Sequence, residues 1–462
     1  MNIVKRRKNN DGIVLFFVAV FCSLISNVAL YAYFLLIIIK LLLEKEKKET
    51  LLLELMLYSI ILPDNYSTVF FVATYAIYMF ASKKITIKKD KHTILVFLLI
   101  ALIIFSSVIN FVPLVNILMS LIFYLPIFVF LIIGDRIYTL TVTNKIFDVV
   151  NRVFLLEILI CFTEFILLGM HLDEYSDWCT GSFGLGQQVQ LCIVMIFYVC
   201  FLWGNKKKYS GFSFYFRLFS SLLVVFFTNC WTVLAFSLVV IGLCVISRLS
   251  NRKIIKMLPA FFVIFPIVFF IINNYIPTTI KEIVGNMLND SEFLHYRFAK
   301  LDVYYDTFIL LPASSLLFCL FGNGLGYYCS RGALACTGYY IENYSNLLTV
   351  TVSENTSTYI LPNLINAFYH GGEDYGSILY RPYSSILALM GEFGYIGFAL
   401  CLCMFFRRLK HGSTFNAILC SVLFASCFLE NFLEYSKIIV VLYLLCNIEF
   451  SFRTLEIDMA KR

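Results

Sequence analysis

Charge is scarce in this chain. Only 14% of its 462 residues are Asp, Glu, Lys or Arg, where a soluble domain carries about 25%. That shortage, with a hydrophobic content of 60%, excludes a disordered or nucleic-acid-binding protein. Other absences narrow the field further. The basic N-terminus, MNIVKRRKNN, runs into a long apolar stretch with no small-residue cleavage site, so it reads as a retained first span rather than a signal peptide. No CxxC pair with metal-ligand spacing lies outside the apolar runs, which argues against a zinc site. Most of the 15 cysteines sit inside those runs, as at Cys161, Cys200, Cys244 and Cys420, where they serve as small buried hydrophobes. There is no internal repeat, which weighs against transporters assembled from paired halves.

What the chain does contain is a succession of apolar runs of roughly membrane-spanning length. They cover approximately 50–62, 66–82, 93–111, 114–133, 150–170, 188–203, 212–228, 231–247, 257–275, 382–406, 413–429 and 436–451, after a first run over Ile13 to Leu43 that splits near Ser26-Asn27. Basic clusters mark the cytoplasmic side of a membrane protein. They occur here at Lys5–Lys8, Lys45–Lys48, Lys83–Lys91, Lys206–Lys208, Arg248–Lys256 and Arg407–Lys410. Turns at Pro63-Asp64-Asn65, Phe111-Val112-Pro113 and Thr228-Asn229-Cys230 then fall on the outer side. The expected fold is all-α: a polytopic integral membrane bundle of about 12 to 14 spans, both termini cytoplasmic. Residues 1–272 form the N-terminal helices, 273–381 a large periplasmic loop carrying short helices, and 382–462 the C-terminal helices. A loop so far beyond about 15 residues is usually functional.

The richest motif starts where that loop returns to the membrane. It reads Tyr383-Ser384-Ser385-x-x-Ala388-Leu389-x-Gly391-Glu392-x-Gly394-x-x-Gly397. Small residues let helix backbones approach closely, and an acid at membrane depth must face a partner or a polar cavity. Glu392 therefore points inward at the outer end of a packed bundle, either anchoring a neighbouring loop by accepting its hydrogen bonds or acting in the chemistry. Upstream, Arg297-Phe298-Ala299-Lys300 is followed by Phe321-Gly322-Asn323-Gly324-Leu325-Gly326-Tyr327.

Together these segments resemble the bacterial O-antigen polymerase and ligase families. Their members carry a stretch like His-Asn-x-x-Leu-x-x-x-x-Glu-x-Gly-x-x-Gly after the largest periplasmic loop, and an Arg…Gly-x-Gly-x-Gly-aromatic segment within it. Leu387, Glu392, Gly394 and Gly397 fit the first pattern, whereas Tyr383 and Ser384 stand in place of its His-Asn. The likeness covers about the last third of the chain, and order and spacing carry it more than any one motif.

The resemblance implies a metal-independent glycosyltransferase without cofactors. It would move a glycan from an undecaprenyl-diphosphate carrier to a sugar hydroxyl on another, at the periplasmic face of the inner membrane. A diphosphate leaving group calls for fixed positive charge, and arginine grips phosphate oxygens at two points. Arg297 and Arg381 are the expected diphosphate ligands, with Lys300 one helical turn from Arg297. The base that deprotonates the acceptor is sought among His370, Glu373 and Asp374, since tyrosine, with a pKa near 10, serves poorly at position 383. Tyr327, Tyr383, Glu392 and, in the shorter outer loop, Trp178 are the expected substrate contacts, aromatic rings offering flat faces to sugars. Expected partners are the lipid-linked oligosaccharide, the bilayer and a chain-length regulator protein. Polymerisation of repeat units is the leading reading. The alternatives are ligation of finished glycan to a lipid A-core acceptor and flipping of the lipid-linked unit. Glu157 and Glu164, on one helical face, either line a lipid-carrier cavity or bond to their neighbours. Cys329 and Cys336 are candidates for a disulfide in an oxidising compartment.

Overall fold

Long apolar runs must close their main-chain hydrogen bonds internally, and every regular element among the described residues is helical. The computed structural model describes residues 17–18, 28–43, 48–62, 67, 70–71, 73–74, 91–133, 140–167, 179–184, 186–248, 299–338, 351–369, 380–411 and 414–461. The N-terminal part contains α1 (Val28–Leu43), α2 (Lys48–Tyr58), α3 (Lys91–Ile109), α4 (Leu114–Ile133), α5 (Leu140–Leu167), α6 (Gln188–Gly204), α7 (Gly211–Phe227) and α8 (Trp231–Arg248). Five short helices follow: α9 (Ala299–Tyr305), α10 (Leu311–Ser314), α11 (Leu316–Phe321), α12 (Arg331–Ala335) and α13 (Leu361–Tyr369). The chain closes with α14 (Ser385–His411), α15 (Thr414–Ser426) and α16 (Ser436–Lys461). The apolar runs at 66–82 and 257–275 lie largely or wholly outside the described residues.

Among the described residues one helix, over Ser385–Arg407, is long and apolar enough to cross a membrane by itself, and seven shorter apolar helices accompany it. Helix α5 starts well before the apolar run at 150–170. Its added turns are polar on one face, where Lys145 pairs with the buried Glu54 of α2 at 2.7 Å. Hairpins α3–α4 and α7–α8 turn on residues with positive φ, Phe111 at 50° and Asn229 at 52°. A bulky Phe in that region is unusual, and it is held there by Val112 N–H donating to the Ser107 carbonyl at 3.0 Å.

Helix α16 is the hub. It packs on α4, α5, α6 and α15, and Ile438, Leu442, Cys446 and Ile448 on it are fully enclosed. The outward faces of α3, α4, α7 and α8 are the reverse of a soluble surface: Phe97, Ile104, Leu118, Phe219, Leu238 and Leu243 all stand exposed.

The described parts of the 273–381 interval do not lie apart from the bundle. Val303, Leu311, Phe318, Tyr328, Leu334 and Leu364 share one apolar cluster with Tyr383, Leu387 and Ala388 at the start of α14. Helix α11 packs along α14 and α12 along α4. The described short helices of this interval are thus folded onto the bundle helices, where their apolar residues find partners.

Candidate functional site

The three glycines of α14 do different work. At Gly394 the helix breaks, with φ 63° and ψ −171°. The break frees the carbonyls of Gly391 and Glu392, which the glycine-rich loop then takes up: Asn323 N–H donates to Gly391 O at 2.8 Å and Gly324 N–H to Glu392 O at 2.9 Å. Unwound backbone inside a bundle is tolerated only when its polar groups find partners in this way. A Cβ at Gly394 would strike the main chain of Leu320 and Phe321, and one at Gly391 would strike the Tyr328 ring.

On its other side the loop is held by the α3–α4 hairpin. Ser106 Oγ donates to Phe321 O at 2.6 Å, Asn110 Nδ2 to Gly322 O at 3.0 Å, and Asn116 Nδ2 to Gly326 O at 2.7 Å. The loop is therefore clamped between two helix ends.

The Glu392 side chain, 0% exposed, holds the far end of the same loop. Its Oε1 accepts from Ser330 N–H at 3.2 Å. One residue on, Arg331 N–H donates to Glu434 Oε2 at 2.6 Å, so two carboxylates share the first turn of α12. Negative charge is favourable at that end of a helix. Of the two roles open to Glu392, the observed geometry is that of loop anchorage.

Glu434 belongs to a group that sequence reasoning passed over. The turn between α15 and α16 reads Glu430-Asn431-Phe432-Leu433-Glu434-Tyr435-Ser436-Lys437, and both acids, Asn431 and Lys437 are buried. Burial pushes the Glu430 carboxyl above its usual range, while Arg381, Lys300 and Arg331, in that order, pull it back. Three cations thus gather around one carboxylate. Lys300 and Arg331 are each 4% exposed, which removes most solvent screening from their charges; Arg381 is half-buried.

Lys300 Nζ donates to the Leu429 carbonyl. The Arg331 guanidinium lies between two rings, 4.0 Å from the Tyr435 centroid and 4.7 Å from that of Phe123, a cation–π arrangement that fixes its plane. The signal for this group was legible in principle: three charges spaced by four and three residues in an otherwise apolar C-terminal region.

The expected site residues divide as follows. Lys300 and Arg381 are within electrostatic reach of each other. Tyr383 is buried in the apolar cluster with Tyr328 and Leu387. Its neighbour Ser384 caps α14 by accepting from Leu387 N–H at 3.2 Å and pairs with the Tyr304 hydroxyl at 2.7 Å. Tyr327 is half-buried, its carbonyl accepting from Thr356 Oγ1 at 3.1 Å. Arg297, His370, Glu373, Asp374 and Trp178 lie outside the described residues. Cys329 and Cys336, the candidate disulfide, are both free buried thiols. They sit at opposite ends of α12, whose rigid turns keep them apart.

An apolar cavity of about 110 Å³ is lined by Tyr124, Ile386, Leu389, Phe393, Phe398 and Leu433 among others. Phe393 follows Glu392 and Leu433 precedes Glu434, so cavity and charges are adjacent along two chain segments. The Tyr124 ring stands 6.2 Å from that of Phe393, and its hydroxyl feels the charges of Glu434 and Glu392. No family model, no curated protein and no solved structure matches the chain.

Proposed function

We propose that the chain is a multi-pass inner-membrane glycosyltransferase that joins undecaprenyl-diphosphate-linked oligosaccharide repeat units into O-antigen or a related surface polysaccharide on the periplasmic face. One observation carries the reading: Lys300, Arg331 and Arg381 all act on the buried Glu430, in a turn whose Leu433 lines an apolar cavity. A lipid diphosphate needs that pairing, with fixed positive charge for its head and an apolar slot for its first isoprene units. The outward apolar faces of α3, α4, α7 and α8 support a lipid surround, since a soluble monomer rarely exposes contiguous apolar patches beyond a few hundred Å².

In this reading Arg381, the partly exposed cation, meets the diphosphate as negative charge develops on it. Lys300 supplies a second positive charge, and Arg297, one helical turn before Lys300 in sequence, a third contact. Arg331 and Glu434 hold α12 in place, and Glu392 ties the glycine loop to α14. The acceptor hydroxyl gives its proton to a carboxylate or imidazole of the His370–Asp374 segment as it attacks the anomeric carbon. The chain-length regulator and the arrangement of about 12 to 14 spans belong to the same proposal.

Deletion of the gene in a strain with a defined surface polysaccharide tests it. The expected result is a ladder that collapses to a single repeat unit on the core. Full-length polymer left on its carrier would instead indicate a ligase, and repeat units stranded on the cytoplasmic leaflet a flippase.

Lys300 adds a pH signature. Burial lowers its pKa, Glu430 pulls it up and the Arg381 charge lowers it, leaving it pushed down from 10.5 to about 8. The native pKa is the lower one, so between these values the unfolded chain binds the extra proton and native stability rises with pH. The Lys300 cation fades over the same window. Transfer activity in proteoliposomes is therefore expected to fall as pH rises through about 8 while thermal stability holds or improves. Lys300→Arg, charged throughout, should move the fall to higher pH. An alkaline limb identical in wild type and Lys300→Arg would remove Lys300 from phosphate binding.

A further inference from the structure

Away from the charged turn, α5 and the segment at 179–184 bring a second set of chemically active side chains together. Glu157, Cys161 and Glu164 stand four and three residues apart, hence on one helical face. Cys179 faces them from across the gap. Sulfur and oxygen atoms of Cys161, Glu164 and Cys179 all lie within 4.8 Å of one another, and the Cys161 thiol is in interaction range of Cys179, Glu157 and Glu164. Cys161 and Cys179 are 0% and 2% exposed and Glu157 is 3% exposed.

Main-chain donors already serve half of the carboxylate capacity. Ser182 N–H donates to Glu157 Oε1 at 2.8 Å and Gly181 N–H to Glu164 Oε2 at 2.9 Å. The second oxygen of Glu157, Oε2, is buried with no hydrogen-bond partner, and it belongs to a carboxylate beside the thiols. The Ser182 side chain and, after it, Lys437 offset Glu157, but the neighbours acting on Glu164 are two amides and the like charge of Glu157, with no cation among the described residues. Gly181, at φ 56°, is packed so closely that a Cβ would collide with Glu157 Oε1 and crowd the Cys161 sulfur. Two thiols and one acid thus meet at one point, with a second acid, Glu157, alongside.

We infer that Cys161, Cys179 and Glu164 form a binding site for a divalent metal ion of zinc type, with the Glu157 carboxylate beside them. Two thiolates select a soft or borderline ion over calcium or magnesium. A tetrahedral zinc, with Zn–S of about 2.3 Å and Zn–O of about 2.1 Å, sets its ligand atoms ~3.4–3.8 Å apart. That spacing fits inside the observed envelope. Binding releases the two thiol protons to solvent, and the ion's two positive charges balance the two thiolates so formed. A disulfide between the two cysteines would account for the sulfurs alone and leave both carboxylates as they are.

The site is structural in character: it fastens the 179–184 segment to α5, while Lys437 Nζ, donating to Ser182 O at 3.1 Å, fastens it to α16. It is separate from the Lys300–Arg381 group and does not depend on the glycosyltransferase reading.

The test uses the full-length chain purified in detergent, with metal content measured by plasma mass spectrometry. Stoichiometric zinc is expected in the wild type and background levels in the C161S/C179S double variant. After removal of metal with a chelator, added Co²⁺ should produce thiolate-to-cobalt charge-transfer absorption, which C179S lacks. Wild-type protein without zinc above the double variant overturns the inference. So does a Cys161–Cys179 disulfide found by non-reducing peptide mapping. Should the double variant fail to fold, the cobalt spectrum of the wild type decides, and absence of the charge-transfer band overturns the site.

Discussion

Arg381→Ala should abolish surface polymer while the protein accumulates in the membrane at its normal level. Arg381 is the half-buried member of the three cations around Glu430, so it is the one a lipid diphosphate can reach. Removing one electrostatic contact to developing negative charge typically lowers turnover by about 10²–10³-fold, or about 2.7–4 kcal/mol. Arg381→Lys keeps the charge on Glu430 but presents a single point instead of a planar fork. It should therefore restore the protein level fully and the polymer poorly. The alanine variant carries a further cost, since it leaves the buried Glu430 with less compensating positive charge. The lysine variant separates the two effects. Wild-type polymer from Arg381→Ala, read on a silver-stained ladder, would exclude it from the reaction.

Gly394→Ala should fail earlier, at the level of the folded protein. The backbone there, φ 63° and ψ −171°, lies in a region essentially reserved for glycine, and holding another residue in it costs on the order of 1–3 kcal/mol. The added methyl also meets the main chain at Leu320 and Phe321, which cannot turn aside as a side chain can. Loss of the monodisperse peak in fluorescence-detected gel filtration, or a clearly lowered Tm, is expected. Gly242→Ala in α8 is the matched control: nothing lies within 4 Å of its Cβ position, and alanine in a helix interior gains up to about 1 kcal/mol over glycine. Equal Tm values for the two variants would mean that the break in α14 is not needed for the fold.

Much of the helical framework was legible because periodicity was not needed to find it. Runs such as 114–133 and 188–203 are apolar all round, and they coincide with α4 and α6 to within a residue or two. The start of α5 was not legible, since its first turns are polar and are justified only by a partner, Glu54 on α2, distant in sequence. The glycine spacing in 391–397 announced close backbone approach, but which glycine carried the break depends on where the 322–326 loop enters, a tertiary fact. The charges at Glu430, Glu434 and Lys437 were visible as letters. Their weight was hidden because a short turn between two apolar runs resembles any exposed connection, and burial decided otherwise. The sandwich of Arg331 between Phe123 and Tyr435 joins residues from three separate stretches.

The seam between α14 and the glycine turn is made of peptide groups, carbonyl to amide, with hydrogens where side chains would stand. Such a joint constrains size and dihedral angle at a few positions and leaves chemical identity at the others open to drift. Distant chains built on the same joint would therefore keep a rhythm of glycines and little else, and would be recognised by superposing backbones more readily than by aligning letters.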